Sequence, residues 1–593
     1  MHKLTKKRWR LLLLVSVIVL FGVAIGPSCV QIESAEPVMS LADTDQTDGT
    51  GQGDPDQTDG TDQEDPDQTD ETIQGDIVIY GGSLSSVAAA MKAADNAPEN
   101  SIILIAPYPT PQLGGIATTG GQNYWDVRTY KSVICQGGTF GWLYDHYSVG
   151  YDTQELSDDL IRTLEAYENI TLYLCHDIKT LELDGQTVSK ITIGEISRAS
   201  SGYIVWTPNG QDVTIEGQIF IDTSEAGKLT RLCDNALSDV QLLTTGRYDW
   251  PSEYLQEEEC NDDGVGLQAT ATLMFKVTDV QPGVYAHMHF DETSAWGGNE
   301  TAYTNSILKA FNEKYGYEGY AIKALNASRA GEGSDEWWIN ALLVYNVDGR
   351  AAARDLETGN YPTDLLSGQR NTDEAWVQAR AFLAEHADEF LEAFNQFEGF
   401  EYADFIYDAD GYPVVADILY TRETVHMVAD AGETSTHDES NYVISVQDCI
   451  AGEQPPLSLS DEADGTTVGY VFYFVDVHPY LYAESKWALS DWRPDLNLKS
   501  LSSAHPIPIS YEALITPEVQ NLLVAGYASS ISSIAWGEVR VFSNLCVLGD
   551  AAGVAAAYCV QSGLMPNALT QGQVSDIQAW ILESGGILSL PLA

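Results

Sequence analysis

The sequence predicts an α/β fold built on a parallel sheet, and three stretches predict it. Residues 76–80 form a short apolar strand that meets two glycines, a small-residue helix at 87–94 and a second apolar strand at 101–105. Residues 215–222 are another apolar strand ending in a polar turn. Residues 521–526 are a third, followed by the small-residue run 549–557. Strands alternating with helical stretches of this length are the mark of βαβ units.

The 593 residues are 44% hydrophobic and 20% charged, enough to bury a large core and too apolar for a disordered chain. Against 29 Lys+Arg stand 87 Asp+Glu, a net charge of −58. A surface that acidic repels phosphate backbones, which argues against nucleic acid as a partner.

In chain order, Lys3, Lys6, Lys7, Arg8 and Arg10 precede an apolar run from Leu11 to about Gly26. That pattern predicts a secretory signal or short membrane anchor over residues 1–28. Trp9 separates Arg8 from Arg10, so this is not a twin-arginine signal. Cys29 is similar in place to the lipidated cysteine of bacterial lipoproteins, although Gly26-Pro27-Ser28 lacks the usual bulky apolar residue. A cysteine lost with the signal or left in a linker is the alternative. Residues 29–73 are expected to be a disordered acidic linker: from Asp43 to Glu71 there are twelve acids and no base, and Asp-Gln-Thr-Asp recurs at 45, 56 and 67. The expected setting is extracytoplasmic, secreted or tethered to a surface, with membrane contact only through the N-terminal segment or a lipid. Residues 72–593 still carry 73 acids and 24 bases, so the folded part is acidic too.

Strand, glycine turn, helix, strand is the unit that sets a dinucleotide diphosphate on a helix N-terminus. Gly81 allows the tight turn and Gly82 a close backbone approach, while Ser83 and Ser86 stand at the third and sixth positions of G-x-G-x-x-G. Ala106 replaces the acid that usually holds the ribose hydroxyls. This unit alone leaves dinucleotide binding and another α/β sheet both open.

Further stretches join it: the glycine-rich loop 111–121, Ile221-Asp222-Thr223-Ser224-Glu225-Ala226-Gly227, residues 268–275, 419–426, 476–479, 534–541 and Gly549-Asp550-Ala551-Ala552-Gly553. With these the chain resembles flavoproteins of the glutathione-reductase-type FAD fold. It looks most like the bacterial FAD-dependent oxidoreductase family, some of whose members are labelled xanthan-lyase-like. The likeness runs from about Asp76 to Gly585. It implies a discontinuous Rossmann-like FAD/NAD(P)-binding domain, residues 74–235 and 505–593, with an inserted α+β substrate or cap domain, 236–504. FAD is the implied cofactor. Gly81, Gly82, Ser83 and Ser86 would lie against the diphosphate, and Gly114 and Gly115 would pass close to the flavin side. Asp222 and Gly526 would end strands that return to the cofactor. A helix beginning at Gly549-Asp550, with Gly553, would aim its positive end at the ribityl or flavin carbonyl region. Nothing resembles a second nicotinamide-binding unit.

A flavin enzyme needs one group to move a proton while the flavin moves the hydride. Arg422 and His426 share a face if their segment is helical, and a structural ion pair is the alternative. Asp476 and His478 alternate along an expected strand, 471–477; a carboxylate beside an imidazole suits proton transfer, or merely satisfies a strand end. Arg540 is a candidate clamp for an anionic substrate group, or a plain ion pair. His287 and His289 alternate but no third ligand is near, so no metal site is expected. Trp337 and Trp338 suit a sugar-stacking cleft or the core. Beyond Cys29 seven cysteines remain without a C-x-x-C, and Cys546 and Cys559 are expected to be buried.

The expected function is an exported FAD-dependent oxidoreductase exchanging a hydride with a small organic or carbohydrate-derived substrate, its electron acceptor unspecified. The rivals are a non-catalytic surface binding protein that kept the flavoprotein fold without its cofactor, motivated by Ser83, Ser86 and Ala106, and a polysaccharide lyase.

Overall fold

The computed structural model describes residues 71–237, 243–245, 270–350, 352–358, 369–427, 465–474, 506–516 and 518–590, with single positions 444, 476, 478 and 482. The N-terminal segment, Cys29, most of the acidic linker, Cys260 and Cys449 lie outside the described residues.

The chain enters the sheet at β1 (Glu71–Tyr80), which takes in the last three residues of the expected linker. Glu71, Thr72 and Ile73 already pair with Val213, Thr214 and Ile215, so this stretch belongs to the ladder. Gly81, at φ +130°, makes the turn into α1 (Leu84–Asn96), whose first turn is capped by Ser83. β2 (Ile102–Ala106) follows, then α2 (Gly138–His146), α3 (Thr153–Glu165), β3 (Ile170–Leu174), β4 (His176–Asp184), β5 (Thr187–Arg198) and β6 (Val213–Asp222). The order across this sheet is β3-β2-β1-β6-β5-β4. β3, β2, β1 and β6 run parallel, while β4 and β5 form an antiparallel meander on the early part of β6. Ile77, Val78, Ile79, Leu104 and Ile105 are fully buried, as a sheet covered on both faces requires.

The middle of the chain builds a second, six-stranded antiparallel sheet. It contains β7 (Ala271–Thr278), β8 (Met288–Phe290), β9 (Ser294–Gly297), β10 (Tyr320–Arg329), β11 (Trp337–Val344) and β12 (Asp404–Phe405), in the order β8-β9-β10-β11-β7-β12. Helices α4 (Ser306–Tyr315), α5 (Thr372–Glu385) and α6 (Ala387–Phe394) cover one face with an aromatic core that joins Phe275, Phe311, Phe382, Phe390 and Phe394. The ladder between β10 and β11 slips between Ile322 and Asn326, a bulge that matters below.

The chain then returns to the first sheet. β13 (Leu522–Val524) pairs in parallel with β6, so that Val524 sits beside Asp222. The last long helix, α7 (Phe542–Ser562), lies against α1. A Cβ at Gly549 would stand 2.2 Å from the Ser85 carbonyl oxygen, and one at Gly553 2.3 Å from that of Ala89. These two glycines let the helices meet backbone to backbone, on a face of α1 that carries only small residues. α7 is long and apolar enough to cross a membrane, but 83% of its most apolar stretch is buried in this core.

Candidate active site

Two places carry the predicted residues. One is the glycine turn between β1 and α1. Ser83 Oγ donates to Thr223 O at 3.0 Å, and Ser86 Oγ lies 2.7 Å from Thr223 Oγ1, so both serines tie the turn to the end of β6. Asp222 accepts from Ser224 N and Oγ at 3.0 and 2.7 Å, and from Thr230 N and Oγ1 at 2.8 and 2.7 Å. Burial raises its carboxyl, which is committed on both oxygens to shaping the turn after β6. Gly526 backs onto the Thr223 carbonyl, where a Cβ would stand 2.7 Å from its carbon.

The space beside Gly82 and Gly115 is filled by the chain itself. Tyr108, 4% exposed, lays its ring where a Gly82 side chain would be, 2.2 Å from that Cβ position. A Cβ on Gly115 would stand 2.2 Å from Glu225 Oε1 and 2.6 Å from Tyr108 Oη. Tyr108 Oη donates to the Glu225 carboxylate at 2.8 and 2.9 Å. Burial pushes Glu225 up to about 7, against the Tyr108 hydroxyl and the N–H groups of Glu225 and Ile116, which favour its charged form. As they stand, these residues do not fit the diphosphate of a flavin dinucleotide: the space beside Gly82 and Gly115 is taken by a tyrosine ring and a carboxylate.

The second place is a cavity of 1090 Å³ between the β9-β10-β11 side of the inserted sheet and the start of α7. Arg540, in the two-residue link between the helix Ser533–Val539 and α7, is held by Tyr420 Oη at 2.6 Å and Asp476 Oδ2 at 2.5 Å. The same Asp476 oxygen lies 3.1 Å from His478 Nε2. Burial opposes the charge of Asp476, yet His478 and Arg540 hold its carboxyl well below the usual carboxylate range. Burial, then Arg422, lowers His478 to about 4, so its ring is neutral at neutral pH. Arg422 donates from Nη1 to Thr270 O at 3.0 Å, while its Nε has no hydrogen-bond partner among the described residues. Burial brings Arg422 down to about 10.

Lys323 completes the cluster from β10. The bulge frees two carbonyls for it, Ala324 O at 3.1 Å and Asn340 O at 3.0 Å. Burial, then the neighbouring Arg422, brings its ammonium down to about 7. On the opposite wall Tyr473 donates to Asp126, whose carboxyl burial raises.

The structure therefore brings together Arg422, Asp476, His478 and Arg540. Asp476 and His478 meet outside a strand, since that strand ends at Val471. His426 is a correction. Its segment is extended, Val425–Met427, so it does not share a helical face with Arg422. It is fully buried, paired with Glu423 at 3.0 Å and packed beside Trp536, away from the cavity lining. Gly549, Asp550 and Gly553 are a second correction, because α7 begins at Phe542 and they lie in its interior. The glycines pack on α1, and Asp550 accepts from Thr139 N and Oγ1 at 2.9 and 2.6 Å, holding the first turn of α2. Trp337 and Trp338 are core residues. His287 and His289 pair with Glu300 and Asp291, and no metal-binding cluster occurs among the described residues. Cys546 and Cys559 are buried. Sequence reasoning missed Lys323, Tyr108 and Glu225. The first depends on a bulge, but a tyrosine and an acid two strands apart beside paired glycines are legible only after folding.

Among curated proteins none matches the chain. Solved structures similar to it include p-nitrophenol 4-monooxygenase from Pseudomonas putida, at 11% identity over 46% of this chain and 58% of that one, TM-score 0.22. The myxobacterial chondrochloren halogenase matches at 11% identity over 60% and 66%, TM-score 0.29. The E. coli quinol fumarate reductase subunit FrdA matches at 12% identity over 86% and 74%, TM-score 0.24. The chain thus spans a little over half the length of the first of these. The family model described as FAD dependent oxidoreductase matches residues 76–580, and the chain belongs to that family.

Proposed function

We propose that this enzyme acts on a small organic anion, a carboxylic acid or a carbohydrate-derived acid, bound in the cavity beside Arg422 and Arg540. One observation carries the reading: the sign of the charge inverts there. The whole chain has three acids to each base, yet the described cavity lining holds Arg128, Lys309, Lys323, Arg422 and Arg540 against Asp126, Glu313 and Asp476. One oxygen of Asp476 already serves both Arg540 and His478, while Arg422 Nε has no hydrogen-bond partner among the described residues and so has a donor to offer. An incoming carboxylate would satisfy its Nε and face the first turn of α7, whose dipole favours negative charge.

Family membership implies a small-molecule substrate and a redox partner. In the finer reading the hydroxyl-bearing carbon of the acid would give its hydride to a bound flavin, while this chain's residues bind and orient the acid and take the hydroxyl proton. Arg422 and Arg540 orient the carboxylate. Lys323, poised near neutrality, or neutral His478 moves the proton. The N-terminal segment and acidic linker support an extracytoplasmic, tethered enzyme, a point that protease accessibility on intact cells would decide.

The test is calorimetric titration of the full-length protein with hydroxy and uronic acids and with their primary amides. Acids should bind and amides should not, and Arg422→Met should weaken the acids by at least about thirtyfold. Equal binding of acid and amide would sink the reading.

A further inference from the structure

We propose that Tyr108 and Glu225 form an internal stopper in the diphosphate cradle, which FAD must displace before it can bind. The inference rests on FAD being the cofactor and is independent of which substrate fills the cavity.

Two glycines converge on one small volume: Tyr108 stands against the Cβ position of both, and Glu225 against that of Gly115. At Gly82 the obstacle is the Tyr108 ring, and at Gly115 it is Glu225 Oε1 and Tyr108 Oη. Gly115 itself touches the α1 side of the turn, since its Cβ position is 3.0 Å from Ser83 Cα. The volume is therefore bounded by the α1 turn on one wall and the loop Gly114-Gly115-Ile116 on the other, with Gly114 N donating to Gly82 O at 2.7 Å across the seam. Backbone N–H groups at such a place are an anion site. The anion that holds it here is the Glu225 carboxylate, which draws on the Ile116 N–H and is clamped by Tyr108. The Glu225 backbone is pinned in turn by Thr424 Oγ1, which donates to its carbonyl at 2.8 Å. A diphosphate and this carboxylate cannot share the site: they would overlap, and their charges repel.

The pair also explains why the cradle tolerates two serines. With Glu225 supplying the negative charge, Ser83 and Ser86 turn their hydroxyls to Thr223 and brace the loop that carries Glu225.

The experiment uses the full-length protein freed of cofactor, with FAD binding followed by quenching of flavin fluorescence and ADP and adenosine binding by calorimetry. Glu225→Gly should bind FAD and ADP at least about tenfold more tightly than the wild type and leave adenosine, which has no phosphate, unchanged. Glu225→Gln keeps the size and the Tyr108 bond but drops the charge, and should show a smaller gain in the same direction. If Glu225→Gly does not fold, as judged by thermal melting, the glutamine variant decides the matter alone. Folded variants that bind FAD and ADP no more tightly than the wild type would overturn the proposal. So would a gain in adenosine affinity equal to that for ADP, which would mark a general loosening of the fold.

Discussion

Replacing Lys323 with methionine tests the electrostatics on which the substrate reading depends. Lys323 hangs from a bulged strand, bonded to two carbonyls, with Arg422 as the largest charged influence on it after burial. Its ammonium loses its proton near 7 in the folded protein, against 10.5 for an ordinary lysine. Between those values the unfolded chain binds the proton and the folded chain does not, so unfolding takes up a proton and stability rises with pH. Each pH unit in that window is worth about 1.4 kcal/mol, and partial solvent access trims two units to about 2 kcal/mol. Lys323→Met has no such titration. Thermal melts of both proteins at about pH 7.5 and about pH 9.5 should therefore show the difference moving in favour of the wild type by about 2 kcal/mol. A bound carboxylate restores the ammonium and should flatten the trend. A difference between the two proteins that is the same at both pH values would refute the reasoning.

Three further outcomes follow from the packing and charge. Gly553→Leu drives a side chain into the Ala89 carbonyl and should cost at least about 3 kcal/mol, read as a fall in melting temperature. Asp476→Asn leaves Arg540 and His478 without their shared anion and should cost about 3 kcal/mol at neutral pH. Because the Asp476 carboxyl is depressed on folding, that advantage of the wild type is present above about pH 4 and fades as the pH falls through the folded value, which a melting series down the acid range would follow. Asp550→Asn runs the other way. Burial raises Asp550 to about 6, so the wild type loses stability as pH rises from the ordinary carboxyl value to about 6, and the asparagine variant should gain on it over that range by as much as about 3 kcal/mol.

The parallel sheet, the α1 turn and the return strand at Leu522–Val524 were legible because apolar strands ending on glycine or aspartate are local patterns. Gly549 and Gly553 were legible as important but not for their reason. A glycine that frees a backbone for a ligand and one that frees it for a neighbouring helix look alike in sequence, and only the start of α7 at Phe542 separates them. Arg422, Asp476, His478 and Arg540 are scattered over more than a hundred residues, yet each was legible as a candidate, Arg422 by a segment that resembles the family, Asp476 and His478 by their alternation, and Arg540 as a base in a chain poor in bases. His426 was picked with Arg422 for the same segment and is core, because burial depth is a tertiary property. Lys323 was hidden by its bulge, and Glu225 by looking like one more acid in a chain that has 87.

The proposed function requires the cationic cavity and the bound flavin to form one active site. The direct measurement is the visible spectrum of the FAD-loaded full-length protein during titration with a small organic acid. The flavin band should shift saturably with the acid, stay put with its amide, and lose the response in Arg422→Met. An acid that binds by calorimetry while leaving the flavin spectrum untouched would contradict it.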